Sequence, residues 1–443
     1  MQRSLYFLAC LLVALSASAR AGSETGTLKS DTVTYSEQIA RIVQDNCQIC
    51  HRTDGVAPFP LMTYQDAFAF RHQIADATRT RRMPPWKPVA GYGEFQHERR
   101  LSEGDIELIA RWVAAGAPEG DRAKLPPPKK FASSWAAEPD VVVELSDTFD
   151  VPAGGSDIYR CFVIPTSFKE DRYVSASEVL PGNRQIVHHV ITYLDRGKTS
   201  AELDRAEPGA GYTCFGGPGI PRRDLLSLGG WAPGAPPMQM PDGVGMLVPA
   251  GATVVVQVHY HNHTGAKQTD RTKIGLRFAK GPIEKRSRSI ALINRSFEIP
   301  AGAMRHEVRA SYTVPAHLNF HAINITPHMH LLGREMKVTA RYPDGTVRPL
   351  IYINDWDFNW QGSYLFAKPV PLPAGTVIEL QAFYDNTASN PRQPSSPPKV
   401  VRWGENTTDE MCIAFLRVTV DEEHGVVRPS STPSLERKPS TKS

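Results

Sequence analysis

The sequence predicts a mixed fold class, in which a small all-α domain is followed by two antiparallel β-sandwich domains that are jelly-roll-like. Three observations predict this order. Helical periodicity is confined to residues 32–121, a segment rich in proline and lysine follows at 122–139, and the rest consists of short alternating or apolar runs separated by turn residues. Such runs are typical of stacked antiparallel sheets, and roughly 285 residues are enough for two sandwiches, at 140–283 and 284–425.

The composition is that of an ordinary globular protein. The chain has 443 residues, which is enough for two or three domains, each with its own core. The net charge is only +4 and the basic residues are scattered, so nothing indicates a nucleic-acid partner.

Both ends of the chain differ from the rest. Residues 1–21 predict an export signal peptide, because a short basic start precedes the apolar run SLYFLACLLVAL and the small residues SASARA. That run is too short for a stable membrane anchor, and no other run approaches the length of a membrane helix. We therefore expect a protein of the periplasm or a secreted protein, with no membrane span, in an oxidising compartment. Residues 426–443 are polar and contain proline, which predicts a disordered tail.

Two amphipathic helices define the predicted all-α domain. The first, within TVTYSEQIARIVQDN, places Ile39, Ile42 and Val43 on one face. The second, within LSEGDIELIARWVAAG, begins at a capping box of Ser102 and Asp105 and ends at a glycine. The proline-rich and lysine-rich residues 122–139 lack periodicity and predict a linker.

The motif CQICH is the most specific feature of this domain. Cys47 and Cys50 are spaced so that each thiol can add to one vinyl group of a haem, and His51 is placed to bind the iron. A redox dithiol would not need His51, and half a zinc site would need another cysteine pair, which the chain lacks. The motif therefore predicts one covalently attached haem c.

The order of helix, haem motif and helix resembles a small single-haem cytochrome c. The resemblance implies that a methionine or histidine in a later loop binds the iron from the opposite side. We predict Met83 in RRMPPW, because such cytochromes usually present this methionine just ahead of a proline. Met62 in PFPLMTY is the alternative.

Histidines recur in the predicted strands. His188 and His189 are adjacent in QIVHHVITYL, where neighbouring side chains should point to opposite faces, so a shared role requires a bend in the backbone. His328 and His330 are two residues apart in PHMH, which places both imidazoles on one face of a strand and suits chelation of one metal ion. Imidazoles combined with a thioether, such as that of Met411, select copper.

These segments resemble the copper type II, ascorbate-dependent monooxygenases, the family of peptidylglycine α-hydroxylating monooxygenase and dopamine β-monooxygenase. The resemblance covers roughly residues 140–425 and includes VHHVITY, GGWAPGAPPMQMPDGVG, VVQVHYHN, PHMHLLG and the DEMC strand. It implies two copper ions in separate sandwich domains across a solvent-filled cleft. One ion would store an electron, and the other would bind dioxygen and attack the substrate C–H bond. The implied ligands are His188, His189 and His259 for the first ion, and His328, His330 and Met411 for the second.

The chain also departs from this family. Peptidylglycine enzymes hold the peptide carboxylate with an arginine, an asparagine and a tyrosine, where this chain has Thr326, Ile413 and Phe415. We therefore expect a more apolar pocket and no amidation of glycine-extended peptides. Three cysteines match family positions that form disulfides, so at most one pair can form within the chain, and the sequence leaves the pairing open among Cys161, Cys214 and Cys412.

These features predict a copper-dependent monooxygenase that hydroxylates a C–H bond of a small organic substrate with O2. The attached cytochrome predicts that electrons from ascorbate or a periplasmic redox partner pass through haem c to the histidine-only copper. The alternative is a periplasmic haem and copper electron-transfer or copper-binding protein without oxygenase activity. A third hypothesis treats the sandwiches as a binding module without copper.

Overall fold

The computed structural model describes most of the chain. The predicted signal peptide at 1–21 and the predicted tail at 426–443 lie outside the described residues. Among the described helices, none is both long and apolar enough to cross a membrane. The described residues are 32–53, 55, 57–131, 135–154, 157–214, 216–232, 235–262, 264–404 and 406–423.

The described part of residues 32–121 contains helices and no named strand, and we call this range the helical unit. The turn Tyr35–Ile39 is π-helical and leads directly into α1. Ser102 is the N-cap of α4, where its side chain accepts a hydrogen bond from the backbone N–H of Asp105. The core of this unit includes the two predicted apolar faces, with Ile39 and Trp112 fully buried. The helices are α1 (Ala40–Asn46), α2 (Tyr64–Ala69), α3 (Arg71–Arg79) and α4 (Glu103–Ala114), and α5 (Thr199–Ala206) lies later in the chain.

The described residues of the first sandwich form thirteen strands. They are β1 (Val141–Glu144), β2 (Phe149–Val151), β3 (Ile158–Pro165), β4 (Arg172–Leu180), β5 (Val187–Asp195), β6 (Tyr212–Thr213), β7 (Leu225–Trp231), β8 (Met238–Gln239), β9 (Val244–Val248), β10 (Thr253–Tyr260), β11 (Gln268–Asp270), β12 (Lys273–Phe278) and β13 (Lys285–Arg286).

In the second sandwich, ten strands are formed by the residues that the structure describes. They are β14 (Arg288–Asn294), β15 (Glu298–Ile299), β16 (His306–Thr313), β17 (Phe320–His328), β18 (Gly333–Arg341), β19 (Val347–Ile353), β20 (Tyr364–Leu372), β21 (Val377–Tyr384), β22 (Val401–Arg402) and β23 (Cys412–Val420).

Each sandwich is built from two main sheets around one apolar core. In the first, the sheet β1-β12-β4-β9-β13 faces the sheet β6-β3-β10-β5-β7. In the second, the sheet β14-β23-β17-β20 faces the sheet β16-β21-β18-β19. The named strands pair antiparallel throughout the described residues, except for β9 with β13. The prediction of antiparallel sheets is therefore confirmed for most of the chain.

One disulfide joins Cys161 of β3 to Cys214, which follows β6. Cys412 is buried and free. The structure thus resolves the pairing that the sequence left open. A disulfide inside the first sandwich agrees with the oxidising compartment that the sequence predicts.

The helical unit packs directly against the second sandwich through residues 86–96, which we call the docking segment. Pro88 pairs with Ile353 at the end of β19, and Phe95 pairs with Phe366 of β20. The predicted linker is also in contact with its neighbours, because Lys129 forms an ion pair of 2.6 Å with a side chain in α1. The helical unit is thus held against the β region by more than its covalent connection.

Candidate metal centres

The histidine doublet lies on a β-bulge. In the register of β5 with β10, His189 lies opposite His259, whereas the next residue of β10, Tyr260, lies opposite Val187. His188 is therefore the extra residue of a bulge, and a bulge re-aims the side chain that it carries. Neighbouring residues of a regular strand would point to opposite faces. The bulge provides the backbone bend that the sequence requires if both imidazoles are to act together.

Three imidazoles converge at this bulge, and we call His188, His189 and His259 the first cluster. The Nδ1 atom of His189 lies 3.3 Å from Nδ1 of His188 and 3.3 Å from Nδ1 of His259. Nitrogen ligands about 2.0 Å from one ion, at about 110° to each other, lie about 3.3 Å apart. The ligand atoms of the three residues lie within 4.8 Å of one another, so the group could hold a metal ion.

The surroundings of His259 fix its orientation. Its Nε2 atom lies 3.0 Å from Oδ1 of Asp157, and the ring of Tyr159 stacks on its imidazole with centroids 4.2 Å apart. A proton on Nε2 donates to the carboxylate, so Nδ1 keeps its lone pair toward the other two histidines. The hydrogen bond from His259 is also the main reason why the pKa of Asp157 lies well below its usual range.

Burial makes the doublet neutral. Burial, followed by the charge of His259, lowers the pKa of His188 to about 4. The same two causes lower the pKa of His189 well below its usual value. Neutral imidazoles at pH 7 offer the nitrogen lone pairs that a metal ion needs.

The two histidines of the HMH motif, His328 and His330, form the second cluster. His328 ends β17, and the two ring centroids are 5.1 Å apart. Nδ1 of His328 lies 2.5 Å from Oε1 of Gln361, and Nδ1 of His330 lies 3.1 Å from the carbonyl oxygen of Asp409. Burial lowers the pKa of both imidazoles, that of His330 to about 3. With each Nδ1–H donating, both Nε2 atoms keep a lone pair.

A buried carboxylate ties Met411 to the second cluster. Oε2 of Glu410 accepts the backbone N–H of His330 at 2.9 Å and that of Met411 at 3.1 Å, and Oε1 accepts that of Leu332 at 2.6 Å. Burial raises the pKa of Glu410 to about 8, although these N–H donors oppose the rise. Met411 itself is 8% exposed. One side chain therefore holds the backbone of two predicted ligands in place.

A single aromatic ring, that of Phe358, contacts both clusters. Its centroid lies 5.6 Å from that of His188 with the rings nearly parallel, and 5.8 Å from that of His330 with the rings nearly perpendicular. The clusters also influence one another electrically, because the charge of His259 contributes to the lowered pKa of His330. The two groups of imidazoles thus face each other across one side chain, although they belong to different sandwiches.

The CQICH motif forms a turn at the end of α1. Cys47 is the C-cap of that helix, and its carbonyl accepts the backbone N–H groups of Cys50 and His51 at 3.1 and 2.9 Å. Both thiols are free. Nδ1 of His51 lies 3.0 Å from the carbonyl oxygen of Phe59, which leaves Nε2 available to a metal.

The environment of this turn is apolar but has cations nearby. Burial raises the pKa of the Cys47 thiol to about 12. Burial also raises the pKa of Cys50, and the positive charges of Arg99, Arg52 and Arg184 oppose that rise. Arg184 belongs to the segment just before β5, so the first sandwich lies within electrostatic range of the CQICH turn.

Met83 and Met62 both lie in loops of the helical unit. Met83 follows α3, and its backbone N–H donates to the carbonyl of Ala77 at 3.0 Å. Met62 precedes α2, and its backbone N–H donates to the carboxylate of Asp66 at 3.0 Å. Both side chains are half-buried. The choice between them stays a prediction.

Three residues beyond Met83, the docking segment begins with Trp86. Its ring meets that of Tyr364 in β20 edge to face, with centroids 5.4 Å apart. The indole Nε1 of Trp86 is buried and has no hydrogen-bond partner among the described residues. The loop that follows Met83 is thus fixed against the second sandwich.

Sequence reasoning missed several residues that shape these centres. Asp157, Phe358 and Gln361 are single polar or aromatic residues in loops, with no periodicity or spacing to mark them. Glu410 lies in the DEMC segment next to Met411, but nothing in the sequence indicated a role for it. These contacts depend on how loops that are distant in sequence pack together.

Comparison with known proteins supports the copper type II, ascorbate-dependent monooxygenase family. Residues 292–420 match the family described as copper type II ascorbate-dependent monooxygenase, C-terminal domain. This range includes His328, His330 and Met411, and it covers most of the second sandwich. The helical unit and the first cluster lie outside it.

Curated relatives match a longer part of the chain. DBH-like monooxygenase protein 2 of Mus musculus is 25% identical over 355 residues, which are 72% of this chain and 54% of the relative. DBH-like monooxygenase protein 1 of Homo sapiens is 25% identical over 294 residues, 60% of this chain and 45% of the relative. The chain spans about half of the length of these relatives. Among solved structures, the infectious bursal disease virus Gx strain matches with a TM-score of 0.19 and 13% identity, covering 66% of this chain and 77% of that chain, and this likeness carries no argument.

Proposed function

We propose that the protein is an exported copper-dependent monooxygenase that hydroxylates a C–H bond of a small organic substrate with O2, using electrons relayed through a covalently bound haem c. The observation that carries the proposal is the convergence of the Nδ1 atoms of His188, His189 and His259 at a β-bulge. Interrupting a core strand to bring three imidazoles together serves no packing purpose, but it suits a metal ion.

The two clusters would bind different forms of copper best. The first cluster offers three imidazoles, which tolerate both oxidation states, whereas the second cluster with Met411 adds a thioether that favours Cu(I). When bound, the two ions supply two electrons and the activation of dioxygen. We assign His328, His330 and Met411 as the catalytic ligands. Asp157, Gln361 and the carbonyl of Asp409 orient the rings that bind the metal.

The strand face beside the second cluster favours a substrate without a carboxylate. In the register of β17 with β23, Ile413 lies opposite His328 and Phe415 lies opposite Thr326. The Thr326 hydroxyl donates to the hydroxyl of Ser363, and Phe415 is 40% exposed. This face combines apolar area with hydroxyl groups, which suits a small, largely apolar compound better than a peptide terminus.

The residues of the helical unit fit haem c. Cys47 and Cys50 have free thiols, and His51 has its Nε2 available. Haem carries two carboxylates, and the cations near Cys50, together with the unpartnered buried indole N–H of Trp86, are groups that would pair with them. Met83 would be the second protein ligand of the haem iron, with Met62 as the alternative.

The position of the helical unit favours electron delivery within the chain. The docking segment contacts the second sandwich, while Arg184, close enough to affect Cys50, lies four residues before His188 of the first cluster. A protein–protein encounter is therefore unnecessary for this step. Ascorbate or a periplasmic redox partner would supply the electrons from outside.

Oxygen incorporation tests the proposal most directly. The mature protein should contain two coppers and one haem that resists acid-acetone extraction, and with ¹⁸O2 it should place one labelled atom in a hydroxylated product from a library of small compounds. Met411→His should keep copper bound and lose most of this activity, because the thioether is gone. Met304→His, at a methionine that is 75% exposed, is the matched control. Bound copper without product or substrate-linked oxygen uptake would instead favour an electron-transfer or copper-binding protein.

A second experiment tests the relay. When reduced protein is mixed with O2 and substrate, the visible spectrum of the haem should return to that of the oxidised haem, at a rate that depends on the first cluster. His189→Ala should slow this return strongly and leave the spectrum itself unchanged. Equal rates in both proteins would contradict the relay.

A further inference from the structure

The two carboxylate oxygens of Asp157 contact different sandwiches. Oδ1 accepts from Nε2 of His259 at 3.0 Å and lies 2.9 Å from Nδ1 of His261, both in the first sandwich. Oδ2 accepts from the hydroxyl of Thr407 at 2.9 Å, in the second sandwich. One carboxylate therefore spans the boundary between the sandwiches at the first cluster.

Thr407 belongs to a compact loop that also contacts the second cluster. The side chain and the backbone N–H of Asn406 donate to the carboxylate of Asp409, and the N–H of Asp409 donates back to the carbonyl of Asn406. The carbonyl of Asp409 in turn accepts from Nδ1 of His330. A continuous series of hydrogen bonds, which passes through Asp157 and this short loop, thus connects His259 to His330.

Other polar contacts between the sandwiches lie farther along β23. Arg417 is buried there, and its guanidinium donates to the hydroxyl of Ser287 at 2.8 Å and lies near the carbonyl of Ser227. Arg417 lies six positions after Met411, which is about 20 Å at the rise of a β-strand. A hinge at Arg417 would let the clusters separate unless a contact close to them resists it.

We propose that Asp157 and Thr407 form a link that sets the separation of the two clusters. Both are then positioning residues, because they act through His259 and through the loop that contacts His330. The catalytic consequence of this link rests on the proposed function, whereas the link itself can be tested in metal-free protein.

The first test measures the link without metal. Thr407→Val removes the hydroxyl and keeps the side-chain shape, and Thr408→Val, at an exposed neighbour in the same loop, is the matched control. Hydrogen–deuterium exchange at the amides of Asn406 and Asp409 should become about tenfold faster in Thr407→Val, since a hydrogen bond to a charged acceptor is lost. Thr408→Val should exchange at the wild-type rate.

The second test uses coupling between the two residues. Asp157→Ala should produce a similar increase in exchange, and the double variant with Thr407→Val should show no further increase, because each change removes the same bond.

The third test uses protein loaded with Cu(II). Thr407→Val should keep two coppers, and its copper–copper distance distribution by pulsed EPR should broaden. Its kcat should fall about tenfold with KM unchanged.

Two outcomes would overturn the link. One is exchange in Thr407→Val that matches the Thr408→Val control, and the other is full additivity of Asp157→Ala and Thr407→Val. If the exchange effects appear but the loaded protein forms no hydroxylated product, the link is supported and the proposed oxygenase function fails.

Discussion

The two sandwiches bring their imidazoles together by different means. In the first, His189 and His259 lie opposite each other on paired strands, and a bulge turns His188 toward them, so the sheet register fixes the cluster. In the second, His330 and Met411 lie just beyond the strands, and the carboxylate of Glu410 joins their backbones. Many backbone hydrogen bonds thus hold the first cluster, whereas the second depends on a few side chains. The second should therefore be the more sensitive to single substitutions.

Glu410→Ala should have the largest effect. It leaves the buried N–H groups of His330, Leu332 and Met411 without their acceptor, so the free energy of unfolding should fall by about 3–5 kcal/mol. Copper should be lost from the second cluster and kept by the first. Calorimetry and copper analysis of the purified variant measure both effects.

The control for Glu410→Ala is a buried carboxylate of the first sandwich. Asp270 accepts from the hydroxyl of Tyr260 and the backbone N–H of Asn183. Asp270→Ala should also destabilise the protein. The variant should still bind both coppers, because strand register holds the ligands of the first cluster, which lie next to Tyr260. Loss of copper from the first cluster in this variant would contradict the comparison.

Removal of the disulfide should have the next largest effect. The Cys161 and Cys214 pair closes a loop of sequence separation 53 beside β10, and Gln257 of that strand donates to the carbonyl of Cys214 at 2.8 Å. The double substitution of both cysteines by alanine should lower the free energy of unfolding by about 2–4 kcal/mol. Copper at the first cluster should remain, because the register of β10 with β5 is unchanged.

Cys412→Ala in the second sandwich is the matched control for this change. Its unfolding temperature should still fall on addition of a thiol reductant, because the disulfide is intact. The double variant should be indifferent to the reductant. If the reductant also lowered the unfolding temperature of the double variant, the stabilisation would have a cause other than this disulfide.

The sequence predicts the histidine clusters better than what orients them. His188, His189, His328 and His330 are recognisable because each pair is close in sequence, where strand periodicity gives the relative direction of the side chains. The sequence indicates only that the backbone must bend at His188 if both imidazoles are to act together. The bulge that provides this bend depends on pairing with β10, which comes about 70 residues later in the chain.

Loop contacts have no comparable signal. Gln361 and Phe358 lie in the irregular segment between β19 and β20, and their roles follow from where that segment packs. The docking segment is also aperiodic, yet it pairs with the edges of two strands in the second sandwich. The hydrogen bonds of that pairing join backbone groups, such as the N–H of Val89 to the carbonyl of Tyr352, and nearly every residue offers such groups.

Gln361→Leu should have a smaller effect that is specific to the second cluster. The substitution removes the partner of Nδ1 of His328, which fixes the tautomer and the direction of the ring. Copper affinity at the second cluster should fall about 10- to 100-fold, as for other groups that orient metal-bound histidines. Titration with a copper chelator should show one weakened and one unchanged site. Weakening of both sites would mean that Gln361 acts on the whole interface between the sandwiches.

Phe358→Leu should have the smallest effect on stability and tests whether the two clusters act as one unit. The ring contacts His188 and His330 at once, but it belongs to neither ligand set. Loss of these ring contacts should lower the free energy of unfolding by about 1 kcal/mol. Both coppers should bind with unchanged affinity, because every ligand and its polar partner remain. The pulsed EPR distance distribution between the coppers should broaden, since the leucine side chain is smaller and cannot stack between the imidazoles. A distribution identical to that of the wild type would show that the link through Asp157 and the contacts of Arg417 are enough to fix the two sandwiches without the ring.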